Sequence, residues 1–129
     1  ALPTSWPVAG WIAAHFGERV SPFTGKKEFH KGMDIAAPVG TEVKAPGEGT
    51  VAFAGETEDG GFSVVIDHQG GLSASFGHMR DTLVAKGQAV AKGQVIGHVG
   101  DSGQASGPHL HYETRLYGVP VNPMRYILE

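Results

Sequence analysis

The chain has 129 residues and no cysteine. That excludes a disulfide framework and any thiolate-held metal, so a metal bound here must be held by histidine and carboxylate. No apolar run approaches the roughly 18 to 20 residues that a bilayer-spanning helix needs, and no signal-peptide pattern is visible. Charge of one sign is lacking too: 10 Lys and Arg stand against 13 Asp and Glu, giving a formal net charge of −3. These charges are interspersed and form no basic stripe that could track a phosphate backbone, so nucleic acid is not an expected partner. An initiating Met is absent, and Ala1 in its place suggests a piece processed or excised from a longer protein, with any targeting sequence cut away.

Turn residues, by contrast, are abundant. Twenty glycines and 8 prolines interrupt the chain at short intervals, which favours short strands and turns over long helices. The length suits one domain with one core, spanning residues 1–129. Strand-like runs are predicted at Thr41–Lys44, Gly49–Ala54, Phe62–Asp67, Leu72–His78, Val95–Val99 and His109–Leu116, and the fold class is therefore mainly β, a sandwich or sheet. Helix is limited to a short turn after Val119–Pro123. Residues 1–20 read as an opening segment that packs Trp6, Trp11 and Phe16 on the core, and Ser21–Lys27 as an exposed loop. A weak internal echo links Val43–Val51 with Val90–Gly97, and Val84–Gln88 foreshadows the second copy; shared turn chemistry explains it as readily as duplication does.

The densest chemistry lies in Gly107-Pro108-His109-Leu110-His111-Tyr112-Glu113. Successive side chains of a strand point to opposite faces, so His109 and His111 emerge on the same one. They suggest one metal, or one metal beside an acid/base group. A catalytic zinc takes about three protein ligands and keeps a fourth position open, so other segments must contribute. His30 and Asp34, four apart in Phe29-His30-Lys31-Gly32-Met33-Asp34-Ile35, share a face in a helical turn or an extended strand, and Gly32 argues for the latter. With His111 or His109 they complete a three-ligand set. His78, in Ser75-Phe76-Gly77-His78-Met79, ends a β-type run beside a glycine that lets backbone approach closely.

In this combination the chain resembles the catalytic domain of the M23 family of zinc metallopeptidases, the lysostaphin and LytM type of peptidoglycan endopeptidase. The resemblance runs in order through Phe16–Arg19, Pro22–Lys26, Phe29–Pro38, Gly40-Thr41, Val43, Ala45, Gly49–Val51, Phe76–His78, the Gly-turn repeat, Gly107–Glu113 and Val121–Pro123. It departs at Phe76 and Met79, where the family often has Tyr and Leu, and at Ser106, where Thr is common. The resemblance implies one zinc ion held by His30, Asp34 and His111, with His78 and His109 as catalytic histidines that do not ligate. It further implies antiparallel β-sheets with a groove over the metal, peptidoglycan cross-links or bridges as substrate, a monomer, and a place in the cell envelope, periplasmic or secreted to the wall.

On such a site, zinc polarises the scissile carbonyl and lowers the pKa of its water from about 16 toward 7. An imidazole nearby stabilises the tetrahedral oxyanion or moves the proton. Two other readings compete: a non-catalytic LytM-type domain that activates a cell-wall amidase, and a lipoyl- or biotinyl-type carrier presenting Lys86 or Lys92. The complete set of five metal and catalytic residues opposes the first, and the Lys-Gly-Gln context of both lysines opposes the second. The remaining conspicuous residues have plain explanations. His68 reads as an exposed polar residue at a hairpin turn, His98 as solvent-facing on a short strand, His15 as a surface or packing residue, and Trp6 and Trp11 as core. His15, Arg19 or Phe23 bordering the cleft is the functional alternative.

Overall fold

In a computed structural model, residues 1–21, 23–102 and 107–128 are described; Pro22 and Ser106, both invoked above, lie outside them. Among the described residues twelve strands follow in chain order: β1 (Trp11–Ala14), β2 (Gly17–Val20), β3 (Lys27–His30), β4 (Met33–Ala36), β5 (Glu42–Lys44), β6 (Gly49–Thr57), β7 (Gly61–Asp67), β8 (Leu72–Thr82), β9 (Ala89–Val90), β10 (Val95–Val99), β11 (His109–Leu116) and β12 (Val119–Val121). One short 3₁₀ turn, Pro123–Arg125, closes the chain behind an Asn122 cap. Every pairing is antiparallel, in the order β1-β4-β11-β8-β7-β6-β9, with β10 joining β5 to β8 and β12 flanking β11. β2 and β3 form a separate hairpin.

Period-two patterning builds the centre. In β11, Leu110, Tyr112 and Thr114 are fully buried while the odd-numbered residues are only partly so, and in β4 Met33 and Ile35 are buried while Asp34 and Ala36 are not. Phe76 of β8 packs its ring 5.3 Å from that of Tyr112. The strands predicted at Val95–Val99 and His109–Leu116 form with those bounds, the one predicted at Thr41–Lys44 loses its first residue, and the other three lengthen at one end. The short β9 and β12 and the four strands before residue 37 were not foreseen. The four early ones are four residues long and carry few of the β-branched side chains that mark a strand, so pairing with neighbours sets them.

The echo resolves into one turn used repeatedly. In Ala85–Gln88 and Ala91–Gln94 the Gln N–H donates to the first Ala carbonyl, at 3.0 and 3.1 Å, while the Gln side-chain oxygen accepts from that Ala N–H at 3.1 and 3.0 Å. Each turn then clasps a neighbouring residue through two 2.8 Å backbone bonds, Gly87 and Gln88 to Val51, and Gly93 and Gln94 to Ala45. Pro38–Thr41 clasps Val99 in the same way. Lys86 and Lys92 therefore sit in turns held against the sheet, not on a free hairpin tip.

Four expectations are corrected. Trp6 and Trp11 are 37% and 68% exposed, Trp11 on the outward face of the edge strand β1, while Val8 between them is buried. His68 does occupy the β7–β8 hairpin turn, yet it is 1% exposed, with its Nδ1–H donating to the Glu48 carbonyl at 2.9 Å, and burial lowers its pKa. His98 is half-buried against Asp81 rather than facing solvent, at 2.9 Å. Within the loop expected at Ser21–Lys27, Ser21 is buried, its hydroxyl accepting from the Phe23 and Thr24 N–H groups, and Lys27 already belongs to β3.

Gly32, between β3 and β4, lies hard against β11: a Cβ there would fall 2.6 Å from the Tyr112 carbonyl oxygen and 2.7 Å from Glu113 Cγ. Gly32→Ala should therefore destabilise the chelator-treated protein by about 1–3 kcal/mol, as overpacking does. Denaturant unfolding checks this, and an unchanged midpoint would contradict the close approach.

Candidate metal and catalytic site

The sheet aligns the chemistry by register. Ala14 of β1 faces Asp34 of β4, Asp34 faces His111 of β11, and His111 faces Gly77 of β8, so one row crosses four strands. His30 ends β3 and comes to the same place after the Gly32 corner. His78 follows Gly77 with a left-handed φ of 59°, which breaks the alternation of β8: Phe76 and Met79, three apart, are both buried, and the His78 side chain stays partly exposed. A non-glycine residue in that region costs about 1–3 kcal/mol, and here it sits within a strand, unlike the left-handed Gln69 and Tyr117, which lie in turns. All five sequence-predicted site residues thus converge.

His30, Asp34 and His111 offer one donor atom each, all within 4.8 Å of one another. His30 Nε2 lies 3.3 Å from Asp34 Oδ2, and His111 Nδ1 lies 2.7 Å from Asp34 Oδ1. Tetrahedral ligation at about 2.0–2.2 Å sets donors about 3.3–3.6 Å apart, so a small closing or opening of this set accommodates zinc. The far nitrogens are engaged as a metal site requires. His30 Nδ1–H donates to the His15 carbonyl at 3.0 Å, and His111 Nε2 lies 3.1 Å from Glu113 Oε2. His15 thus contributes its backbone, while Arg19 pairs with Glu28 at 2.8 Å and Phe23 is 89% exposed.

His78 and His109 form the second pair, with ring centroids 4.9 Å apart. A carbonyl oxygen only accepts, so His78 Nδ1, 2.7 Å from the Ser102 carbonyl, and His109 Nδ1, 2.8 Å from that of Gly107, both carry hydrogen. Among the described residues neither Nε2 has a hydrogen-bond partner, and that of His109 stands 3.8 Å from Asp34 Oδ1. Ser102 is itself pinned, its hydroxyl donating to the Met79 carbonyl and accepting from the Phe62 N–H at 3.1 Å. Burial, outweighing the Ser102 bond, lowers the His78 pKa, aided by His109 and His111, so the ring is neutral at neutral pH.

Electrostatics bind the ligand set together. Burial alone would lower the His111 pKa, but hydrogen bonds and charge from Asp34 and Glu113 raise it to about 9. Burial would raise Asp34 and Glu113, yet their contacts with His111, and for Glu113 with Arg115, hold both below the ordinary range. Sequence reading passed over Glu113, Arg115 and Ser102. The signal for the first two was available: His109, His111, Glu113 and Arg115 occupy alternate positions of one strand and so share its face.

A metal-free protein should show these shifts as a stability profile. The raised His111 pKa contributes stability that is complete below its ordinary 6.5 and lost as pH rises through about 9. The depressed carboxyl groups contribute above their ordinary 3.8 and 4.5, and that contribution is lost as pH falls through their lowered values. The melting temperature of chelator-treated protein should therefore be highest near pH 6.5, falling toward pH 9 as His111 loses its proton and falling below pH 6.5 because the lowered pKa values of His68 and His78 favour protonation of the unfolded chain. His111→Ala should flatten the fall toward pH 9; an unaltered slope would refute the coupling.

Comparison with known proteins agrees with this geometry. A family model described as Peptidase family M23 matches residues 28–123. The DD-carboxypeptidase/endopeptidase Mpg of Neisseria meningitidis is 41% identical over 117 residues, covering 91% of this chain and 27% of that protein. The peptidoglycan DD-endopeptidase ShyA of Vibrio cholerae is 41% identical over 115 residues, 88% of this chain and 27% of its own length. This chain thus spans about a quarter of the length of these relatives. The crystal structure of a zinc-containing peptidase from Vibrio cholerae superimposes on all of the chain and 41% of its own, with a TM-score of 0.90 at 33% identity. With about three quarters of its residues inside the family model, and with the antiparallel sheet and the clustered histidines in place, the chain belongs to peptidase family M23.

Proposed function

We propose that this chain is a zinc-dependent endopeptidase domain that hydrolyses peptide bonds in bacterial cell-wall peptidoglycan, working as a monomer in the cell envelope. The observation that carries the reading is the arrangement of two imidazoles with available Nε2 atoms beside a His-Asp-His donor set. The relatives named as peptidoglycan DD-endopeptidases support the substrate class. Completeness of the five-residue set favours catalysis over a purely activating role.

Zinc held by His30, Asp34 and His111 would supply Lewis acidity toward the scissile carbonyl and a water of lowered pKa. The protein side chains manage the protons. His78, neutral and with Nδ1–H tied to Ser102, accepts the proton of the attacking water at Nε2. The water oxygen adds to the carbonyl carbon, and the C–N bond then breaks as His78 returns the proton to the departing amine. His109, when protonated at Nε2, donates to the developing oxyanion, while its Nδ1–H bond to the Gly107 carbonyl keeps the ring aimed at the site.

Zinc-loaded protein should release muropeptide fragments from at least one cross-link type of purified sacculi, read by mass. His111→Ala should lose both bound zinc and cleavage. His78→Ala and His109→Ala should keep zinc and lose about 10²–10⁴-fold in rate. Intact muropeptides with every cross-link type would overturn the reading, and equal zinc loss in the His109 and His111 variants would overturn the division of roles.

A further inference from the structure

β11 continues past the ligand set into a polar chain that the proposed chemistry does not use. Glu113 is two residues beyond His111 and on the same face, with its side chain 17% exposed. Both carboxylate oxygens are committed. Oε2 lies 3.1 Å from His111 Nε2, and Oε1 accepts from Arg115 Nη2 at 2.7 Å. Arg115 is anchored in turn, donating through Nη1 to the Gly118 carbonyl at 3.2 Å in the β11–β12 turn. On the open side the Gly32 backbone comes so close to Glu113 Cγ that a Cβ there would stand at 2.7 Å. The carboxylate is thus held by a cation on one side and walled by backbone on the other.

We infer that Glu113, braced by Arg115, is a positioning residue that makes His111 present Nδ1, and not Nε2, to the metal. The inference rests on the reading of His111 as a ligand. Without a metal both nitrogens face carboxylates, Nδ1 toward Asp34 at 2.7 Å and Nε2 toward Glu113 at 3.1 Å, and both carry hydrogen; with Asp34 taken up by a metal, Glu113, which only accepts, would keep the hydrogen at Nε2 and leave the Nδ1 lone pair for the metal. His30 is arranged in the opposite sense, its Nδ1–H given to the His15 carbonyl and its Nε2 facing Asp34. The site therefore uses two histidines in two different tautomers, each selected by a different acceptor.

Arg115 makes the requirement for a carboxylate strict. In Glu113→Gln the guanidinium claims the one amide oxygen and turns the amide NH₂ toward His111, which can meet it only by accepting at Nε2 and protonating Nδ1. Removing Arg115 from that variant frees the amide to rotate and accept from Nε2–H.

Zinc affinity by chelator competition, together with the exchange rate of the His111 ring N–H in the zinc-loaded protein by NMR, tests this. Glu113→Ala and Glu113→Gln should each weaken zinc binding about 10–100-fold, the range typical for loss of such a partner, and should speed exchange of the Nε2–H signal. Glu113→Gln/Arg115→Ala should recover affinity relative to Glu113→Gln alone, an outcome that a simple packing role would not produce. Affinity of both single variants within twofold of the parent, or no recovery in the double variant, would overturn the inference. Absence of zinc binding by the parent, or its retention by His111→Ala, would instead overturn the underlying ligand assignment and the inference with it.

Discussion

The direct pairing of Asp34 with His111 across β4 and β11 is the contact on which the rest of the site depends. It joins the segment around residue 30 to the segment around residue 110, 77 positions apart, through a 2.7 Å bond between side chains on opposed backbone positions. Because the side chains of paired strands alternate faces together, this one register places His109 beside the same carboxylate, at 3.8 Å, and sends Leu110 and Tyr112 into the core with Met33 and Ile35. A slip of one residue would exchange core and site. Burial of these four apolar side chains and assembly of the donor set are thus two consequences of one alignment.

A second regularity is the way each imidazole is prepared. His30, His78 and His109 give Nδ1–H to the carbonyls of His15, Ser102 and Gly107, and His111 turns its Nε2 to Glu113. Fixing one nitrogen to an acceptor determines the chemistry of the other, since a neutral ring has one hydrogen and one lone pair. Backbone carbonyls suffice for three of the rings because turns and strand ends bring unpaired carbonyls to the site. His111 sits mid-strand, where the carbonyls are used by the ladder, and its partner has to be a side chain from the next position on its own face.

Legibility followed the strength of local patterning. β10 and β11 were readable to the residue because β-branched or alternating side chains mark them, and the same period placed His109 and His111 on one face. Carried two and four residues further, it would have exposed Glu113 and Arg115. β1 to β4 were not readable: they are short, and pairing rather than propensity makes them strands. Trp11 and His68 were misjudged because residue type was taken as a guide to burial, whereas an edge strand turns Trp11 outward and the Glu48 carbonyl gives His68 a buried partner.

By itself the sequence determined the mainly β class, the turn positions, and the identity of the five residues that converge, because these rest on residue chemistry and on periods only a few residues long. The tertiary structure decided what no local pattern contains: the register that opposes Asp34 and His111, the left-handed His78, the Ser102 carbonyl that holds it, and the acceptor that selects each tautomer. The physical reason is distance along the chain. Asp34 and His111, or His78 and Ser102, meet only after intervening strands have paired, and their hydrogen bonds depend on geometry that the folded sheet alone supplies.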